Sequence, residues 1–141
     1  MDKNIPFKAR EVLNERFNKD SLISLATSVD DIPYVRTVNA YYEDGAFYVI
    51  TYALSSKIGQ IKQNPIVAIS GDWFTCHGTA TDLGYILSEE NGWIISKLRS
   101  VFSSWYGNGH INESDENNHI LCIRLTDGIL FDHGTRYDLK F

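Results

Sequence analysis

The segment Ala46–Pro65, AFYVITYALSSKIGQIKQNP, has the pattern of a strand, a tight corner and a short helix. Residues 46–52 are β-branched or aromatic almost throughout and follow the turn signal Asp44-Gly45, so they predict a strand. A helical pattern then begins at Ser55-Ser56-Lys57. It stops at Asn64-Pro65, because proline disfavours helical geometry in the residue before it.

Two hydroxyls and one ammonium therefore cluster at a helix N-terminus, on Ser55, Ser56 and Lys57. Free backbone N–H groups and the positive end of the helix dipole favour an anion there, and these three side chains add donors suited to a phosphate. A serine pair before a helix is also typical of an ordinary N-cap, in which the hydroxyl accepts a backbone N–H. The segment alone leaves both interpretations open.

Composition and charge restrict the class of protein. A chain of 141 residues can bury one core, and we expect residues 1–141 to form a single domain. The net charge is −5 and no basic run exceeds two residues, so nucleic acid is not an expected partner. No apolar run has membrane-spanning length, and the first ten residues lack the apolar core of a signal peptide. Cys76 and Cys122 lie far apart in apolar runs, typical of buried free thiols, so we expect a cytoplasmic protein without a membrane partner.

The rest of the chain combines short β runs with few helices. Helical spacing covers Phe7–Phe17, and a second helix is predicted after Ser88, with an apolar face that extends to Trp105. A polar loop follows at 107–118. Strand-like runs occupy 22–29, 34–42, 66–70, 73–83, 120–131 (one strand, or a hairpin turning at Asp127-Gly128) and 137–141. Gly78, inside one of these runs, indicates a bulge, a close backbone approach or a barrel corner. This order predicts a mainly β, α+β fold, an antiparallel barrel with packed helices.

Several motifs occur in a recognisable order along the chain. They are LATS at 25–28, Pro33 after a turn, Val35-Arg36-Thr37-Val38, FYVITY at 47–52, Ser55-Ser56-Lys57, Asn64-Pro65 with the apolar run 66–69, and GTRYD at 134–138. In this order and spacing the chain resembles the pyridoxamine 5'-phosphate oxidase-like, FMN-binding split-barrel family.

The resemblance implies an antiparallel split β-barrel that forms a homodimer, with FMN in a cleft between the two subunits. The residues implied to bind the cofactor are Arg36, Thr37, Val38, Thr51, Tyr52, Ser55, Ser56 and Lys57. The strand around Arg36 is implied to meet the flavin ring and, through the arginine, the phosphate. The three residues that open the helix are implied to clamp the phosphate. Trp73 and Trp105 are candidates to cover the ring from the partner subunit.

The function implied is that of an FMN-dependent oxidoreductase acting on a small molecule. The flavin would carry the redox chemistry, and no catalytic side chain is predicted. Pyridoxamine phosphate oxidases end in an arginine-bearing substrate segment, which has no counterpart in the final residues 139–141, so we expect a different substrate.

Other functions remain open at this point. The same cleft suits deazaflavin, or haem with His77 as the first candidate for an axial ligand. A non-enzymatic flavin sensor that meets a partner through the loop 107–118 is a further alternative, as is a cofactor-free dimer kept for interaction alone. The four histidines and two cysteines lack compact ligand spacing, so no metal site is predicted.

Overall fold

Within residues 2–141, which a computed structural model describes, seven antiparallel strands form one sheet that closes into a barrel. The strands are β1 Ser21–Val29, β2 Ile32–Glu43, β3 Ala46–Tyr52, β4 Ile66–Gly71, β5 Phe74–Tyr85, β6 Asn118–Asp132 and β7 Thr135–Lys140. Their order across the sheet is β3-β2-β1-β4-β5-β6-β7, and β3 also pairs with β6. The first six strands of this order therefore close the barrel, and β7 extends the sheet beyond β6.

Three helices of eight or more residues pack on this sheet: α1 Phe7–Phe17, α2 Ser56–Gln63 and α3 Gly92–Val101. A short helical turn at Ser103–Trp105 and a π-helical turn at Tyr106–His110 follow α3, so the predicted polar loop begins with a helical turn. The predicted helix at 7–17 is confirmed, whereas the helix predicted after Ser88 is interrupted. A 3-10 turn at Glu89–Asn91 precedes α3, and Phe102 leaves helical geometry with φ −94° and ψ 19° while its ring is fully buried. No helix among residues 2–141 combines the length and the apolar character needed to cross a bilayer.

The hydrophobic residues form two separate cores. The first fills the barrel, and α1 contributes its buried face, including Leu13 and Phe17. The second lies outside the barrel, where Leu98 of α3 packs with Tyr48 of β3 and Ile120 of β6. Alternation along β3 and β6 separates the two, because successive residues of a strand point to opposite faces. The wall formed by β3 and β6 is thus buried on both faces.

Glycines allow β5 and β6 to lie unusually close together. The strand β6 continues through Gly128, so the alternative of a hairpin at Asp127-Gly128 is wrong. A Cβ on Gly128 would lie 2.4 Å from the backbone oxygen of Thr75, which explains the glycine as a close-approach residue. Gly78 sits at a register shift in β5, and a Cβ there would lie 2.9 Å from the backbone oxygen of Arg124, as the bulge or close-approach prediction expected.

The barrel is split between β2 and β3. These two strands pair through only three residue pairs, from Tyr41–Tyr48 to Glu43–Ala46. Beyond these pairs, β2 stays paired with β1 as far as Ile32, and β3 stays paired with β6 as far as Tyr52. A wedge-shaped opening therefore separates residues 32–40 of β2 from the end of β3.

Candidate functional site

Two cations lie at the open end of the split, one on each side. Arg36 is on β2 opposite Leu25, a residue of the barrel core, so its side chain starts from the inner face of the barrel. Lys57 is in the first turn of α2, and its Nζ donates a hydrogen bond of 2.6 Å to Thr51 Oγ1 at the end of β3. The turn between β3 and α2 thus places the lysine across the opening from the arginine.

Neutral groups orient the Arg36 guanidinium. Its Nη1 donates to Leu25 O at 3.2 Å and to Thr27 Oγ1 at 2.8 Å, and its Nη2 donates to Gln60 Oε1 at 2.7 Å. The buried Thr27 hydroxyl also donates to Gln60 Oε1, at 2.6 Å. These contacts fix the position of the guanidinium and leave its charge without a neighbouring anion.

The two cations affect each other. Burial, and then repulsion from the Arg36 guanidinium, lower the pKa of Lys57 below its ordinary value of 10.5. Burial also lowers the pKa of Arg36. Neither side chain forms an ion pair with any residue of the part of the chain that the structure describes. Like charges that lie near each other and are partly shielded from water are unfavourable unless an anion joins them, so this arrangement is typical of an anion site.

Ser55 adds a third donor at the same place. It is the N-cap residue of α2, but its hydroxyl makes no capping hydrogen bond. Its Oγ is buried and has no hydrogen-bond partner in the part of the chain that the structure describes. Since buried hydroxyls nearly always have a partner, this atom fits a ligand better than a cap. We call Arg36, Lys57 and Ser55 the anion site.

A cavity of about 520 Å³, the split cavity, adjoins the anion site. Val38 lies two residues from Arg36 on β2, and Val49 lies two residues from Thr51 on β3, so cavity and anion site are separated by about 7 Å along each strand. The residues that line the cavity are Val38, Asn39, Val49, Ile50, Trp105 and His110. Its walls are thus mainly apolar, with one large aromatic ring.

The structure brings together five of the eight residues implied to bind the cofactor. Around the anion site and the split cavity lie Arg36, Val38, Thr51, Ser55 and Lys57.

The other three point elsewhere in this chain. Thr37 is on the outer face of β2 opposite Ser24, Tyr52 donates its hydroxyl to Asp115 at 3.1 Å, and Ser56 is exposed.

Sequence reasoning missed several groups of the site. Thr27 continues the inward alternation of Ile23 and Leu25 on β1, a signal that was present but did not indicate a role. Gln60 lies one helical turn after Lys57, on a helix whose face could not be oriented from the sequence. Trp105 lines the cavity from the same chain, whereas Trp73 is 71% exposed beside Phe131 at a hairpin tip.

His77 and the two cysteines do not build a further site. His77 is outside the split cavity, on the surface 3.2 Å from Asp127. Cys76 and Cys122 are free and buried, as predicted, and burial raises the pKa of the Cys76 thiol to about 12, which makes it a poor nucleophile. No group of three or more His, Cys, Asp or Glu side chains in residues 2–141 is arranged to hold a metal ion.

Comparisons with known proteins identify the fold. No family model matches the sequence, and no curated protein matches it. Among solved structures, general stress protein 26 from Bacillus anthracis str. Sterne aligns with a TM-score of 0.70 and 19% identity over 96% of this chain and 100% of that one. A NimC/NimA family protein from Clostridium acetobutylicum gives 0.67 and 19% over 97% and 98%. A protein of the pyridoxinephosphate oxidase family from the same organism gives 0.64 and 14% over 95% and 92%. The chain has the split-barrel fold of pyridoxamine 5'-phosphate oxidase-like proteins, which confirms the expected fold.

Further structures with this fold have different ligands in their names. They include a FAD-binding protein from Mesorhizobium loti (TM-score 0.62, 15% identity, 92% of this chain and 94% of that one), HutZ, the haem storage protein from Vibrio cholerae (0.63, 16%, 84% and 87%), and an F420 reductase (0.61, 21%, 82% and 94%). The fold alone therefore does not select one ligand.

Proposed function

We propose that this protein is a homodimeric FMN-binding flavoprotein that transfers electrons between the flavin and a small molecule. The observation that carries the proposal is the anion site: within residues 2–141, Arg36 and Lys57 form no ion pair, and the hydroxyl of Ser55 has no partner. A phosphate monoester supplies both negative charge for the two cations and an acceptor for the Ser55 hydroxyl.

The split cavity supports FMN in particular. Its distance of about 7 Å from the anion site is one that a ribityl chain can span. Val38 and Val49 offer apolar surface to a planar ring, and Trp105 offers an aromatic face. FMN carries one terminal phosphate, which matches one anion site next to one cavity.

The protein and the cofactor would have different roles. Bound flavin supplies the redox chemistry. The residues of this chain bind and orient it: Arg36 and Lys57 hold the phosphate, and the walls of the split cavity exclude water from the ring. No side chain is assigned an acid or base role, and the cytoplasm is the proposed compartment because both cysteines are free thiols.

A second copy of the chain is the proposed partner. Val35 on β2, Ala26 on β1 and Ala68 on β4 lie side by side on the outer face of the sheet. The outer face of these three strands carries no charged residue around them. Large apolar side chains are exposed on this uncharged face, with Val35 at 72% and Leu22 at 64%. An exposed face with large apolar side chains and no charge is typical of an interface. Thr37 lies on the same face, so a partner here would bring its own residues close to the β2 side of the split.

The test is to titrate FMN into the protein and into Lys57→Ala and Arg36→Ala, following flavin absorbance and fluorescence. Each substitution removes one charge-assisted contact and should weaken binding about 10- to 100-fold. The control for Lys57 is Lys62→Ala, an exposed lysine on the same helix, and the control for Arg36 is the exposed Arg136→Ala. Equal FMN affinity in all four variants would contradict the proposal, as would a parent protein that does not bind FMN.

Haem is the second candidate ligand, because His110 lines the split cavity and is the only histidine that does so within residues 2–141. It replaces His77, which lies elsewhere, as the candidate axial ligand. A haem protein would show a Soret band that changes in His110→Ala and is insensitive to added FMN. Deazaflavin shares the phosphate, so a binding panel of FMN, FAD and F420 decides between the flavins.

A further inference from the structure

Asp20 lies in the connection between α1 and β1 and joins two residues of the split cavity. Its carboxylate accepts a hydrogen bond of 2.9 Å from Nδ2 of Asn39 and one of 3.0 Å from Nε1 of Trp105. Asn39 and Trp105 both line the cavity, whereas Asp20 is not among its lining residues. The carboxylate therefore links the β2 wall of the cavity with the segment that follows α3.

Both sides of this link are held by further contacts. Asn18, two residues before Asp20, donates from Nδ2 to Tyr42 O at 2.8 Å. The ring of Trp105 packs on the fully buried ring of Phe102, with centroids 4.8 Å apart and an angle of 31° between the planes. Asp20 thus connects two parts of the molecule that are already positioned.

The carboxylate determines how the amide of Asn39 is oriented. A carboxylate only accepts hydrogen bonds, so Asn39 must present its NH₂ group to Asp20. Oδ1 of Asn39 is then directed away from Asp20, and it accepts no hydrogen bond from any residue among 2–141. The amide oxygen is therefore available as an acceptor for a ligand in the split cavity.

This acceptor belongs to the outer half of a cavity that passes through the split. Val38 and Val49 line the cavity from the inner face of the barrel, where they pack with the first core. Asn39 is on the outer face by alternation, as is Trp105, which packs on the second core. The cavity offers a planar ring apolar surface to pack on and one oriented acceptor, which complements a ring with an N–H group.

We propose that Asp20 is a positioning residue that presents the amide oxygen of Asn39 to the ligand, and that this oxygen selects rings with an N–H group. The inference rests on the proposed function, because it is applied to FMN. The oxidised flavin ring has a single N–H group, which can donate to this oxygen. Iron-bound haem has none, so with haem in the cavity the acceptor would lack a partner.

The experiment measures the dissociation constants of FMN and of 3-methyl-FMN, in which a methyl group replaces the hydrogen of that N–H. The selectivity ratio, the constant of 3-methyl-FMN over that of FMN, should be about tenfold in the parent. It should be close to one in Asn39→Ala, which lacks the amide. Both ligands carry the same phosphate, so a change at the anion site or a general loosening of the cavity cancels in the ratio.

Asp20→Asn tests the positioning role. Trp105 can only donate, so the new side chain must turn its oxygen to Trp105 and its NH₂ group to Asn39. Asn39 then turns its own oxygen to that NH₂ group, and the selectivity ratio should fall close to one. Asp127→Asn is the matched control, because Asp127 is an exposed carboxylate 3.2 Å from His77 and outside the split cavity; it should keep the ratio of the parent.

The outcomes separate this inference from the proposed function. A parent that binds FMN with a ratio of one overturns the role of Asn39 and leaves the proposed function standing. A high ratio that persists in Asn39→Ala overturns the same role, because another group then contacts the N–H. A ratio that falls in Asn39→Ala but persists in Asp20→Asn overturns the role of Asp20.

A parent that binds neither flavin overturns the proposed function and this inference with it. The ratio of the parent requires no variant, so the selection by an N–H group is tested even where Asp20→Asn does not fold.

Discussion

At the scale of single residues, the buried hydroxyl of Ser55 distinguishes a ligand site from an ordinary helix cap. A capping serine stabilises its helix, and its loss lowers the free energy of unfolding by about 1 kcal/mol. Ser55 makes no such bond and is buried without a partner. We therefore expect Ser55→Ala to raise the free energy of unfolding of the ligand-free protein by about 1 kcal/mol, as measured by urea denaturation.

The same variant should bind FMN about tenfold more weakly, because it loses the proposed hydrogen bond from the hydroxyl to the phosphate. Stability and binding then change in opposite directions. The exposed neighbour Ser56→Ala is the control, with both quantities close to those of the parent. A Ser55→Ala protein that is less stable and binds FMN normally would show that the serine is only a cap.

Lys57 predicts an alkaline limit for FMN binding. Burial, and then Arg36, lower its pKa in the ligand-free protein below 10.5, whereas a bound phosphate favours the ammonium. Affinity should therefore fall as pH rises through the lowered pKa of Lys57, at a pH below 10.5. FMN titrations between pH 7.5 and 10 measure this, and Lys57→Arg, which stays charged, should shift the decline upward. An identical decline in Lys57→Arg would exclude Lys57 as its cause.

The sequence predicted those parts of the site that follow from local rules. Ser55 and Lys57 could be assigned because a helix N-terminus is visible in a few consecutive residues. Thr27 and Gln60 could not, because each reaches the site only through strand register or helix rotation. Contacts of that kind depend on which strands become neighbours, and single-strand alternation does not contain that information.

At the scale of elements, periodicity predicted the strands and the helix 7–17, whose bounds agree with the structure. It failed where tertiary packing overrides local propensity. Gly128 has the sequence of a turn, but the close approach of β5 keeps it within β6. Phe102 continues an apolar helical face, but the helix is interrupted there, and the ring is buried in the second core. Both errors arise from contacts with residues distant in sequence.

The hairpin between β1 and β2 provides a test of turn chemistry. Its two turn residues, Asp30 and Asp31, have φ angles of 51° and 64°, a left-handed geometry that favours glycine. The hairpin between β2 and β3 has glycine at the second turn position, at Gly45 with φ 85°. Asp31→Gly should therefore raise the free energy of unfolding by about 0.5–1 kcal/mol, measured by urea denaturation at unchanged m-value.

The reverse exchange, in the hairpin between β2 and β3, is the control. Gly45→Ala should lower the free energy of unfolding by about 1 kcal/mol, because alanine is strained in the left-handed region. An Asp31→Gly protein that is less stable than the parent would mean that the aspartate side chain contributes more to the turn than its backbone strain costs.

At the scale of the whole molecule, the uncharged face of β2, β1 and β4 predicts how the chain assembles. Ala26 is at its centre, directly opposite Val35 on one side and Ala68 on the other. A lysine at position 26 would place an unpaired charge in the middle of the proposed interface, where its desolvation is expensive. We expect Ala26→Lys to convert the proposed dimer to a monomer in analytical ultracentrifugation.

Position on the fold determines whether a new charge has this effect. Ser100→Lys adds the same charge on the exposed side of α3, away from the uncharged face, and should leave the dimer intact. If the partner completes the cleft beside Thr37, the Ala26→Lys monomer should also bind FMN more weakly. The monomer itself should still be folded, as measured by urea denaturation. A dimeric Ala26→Lys protein would place the interface elsewhere. A monomeric variant with unchanged FMN affinity would keep the interface and restrict the cofactor site to the residues of one chain.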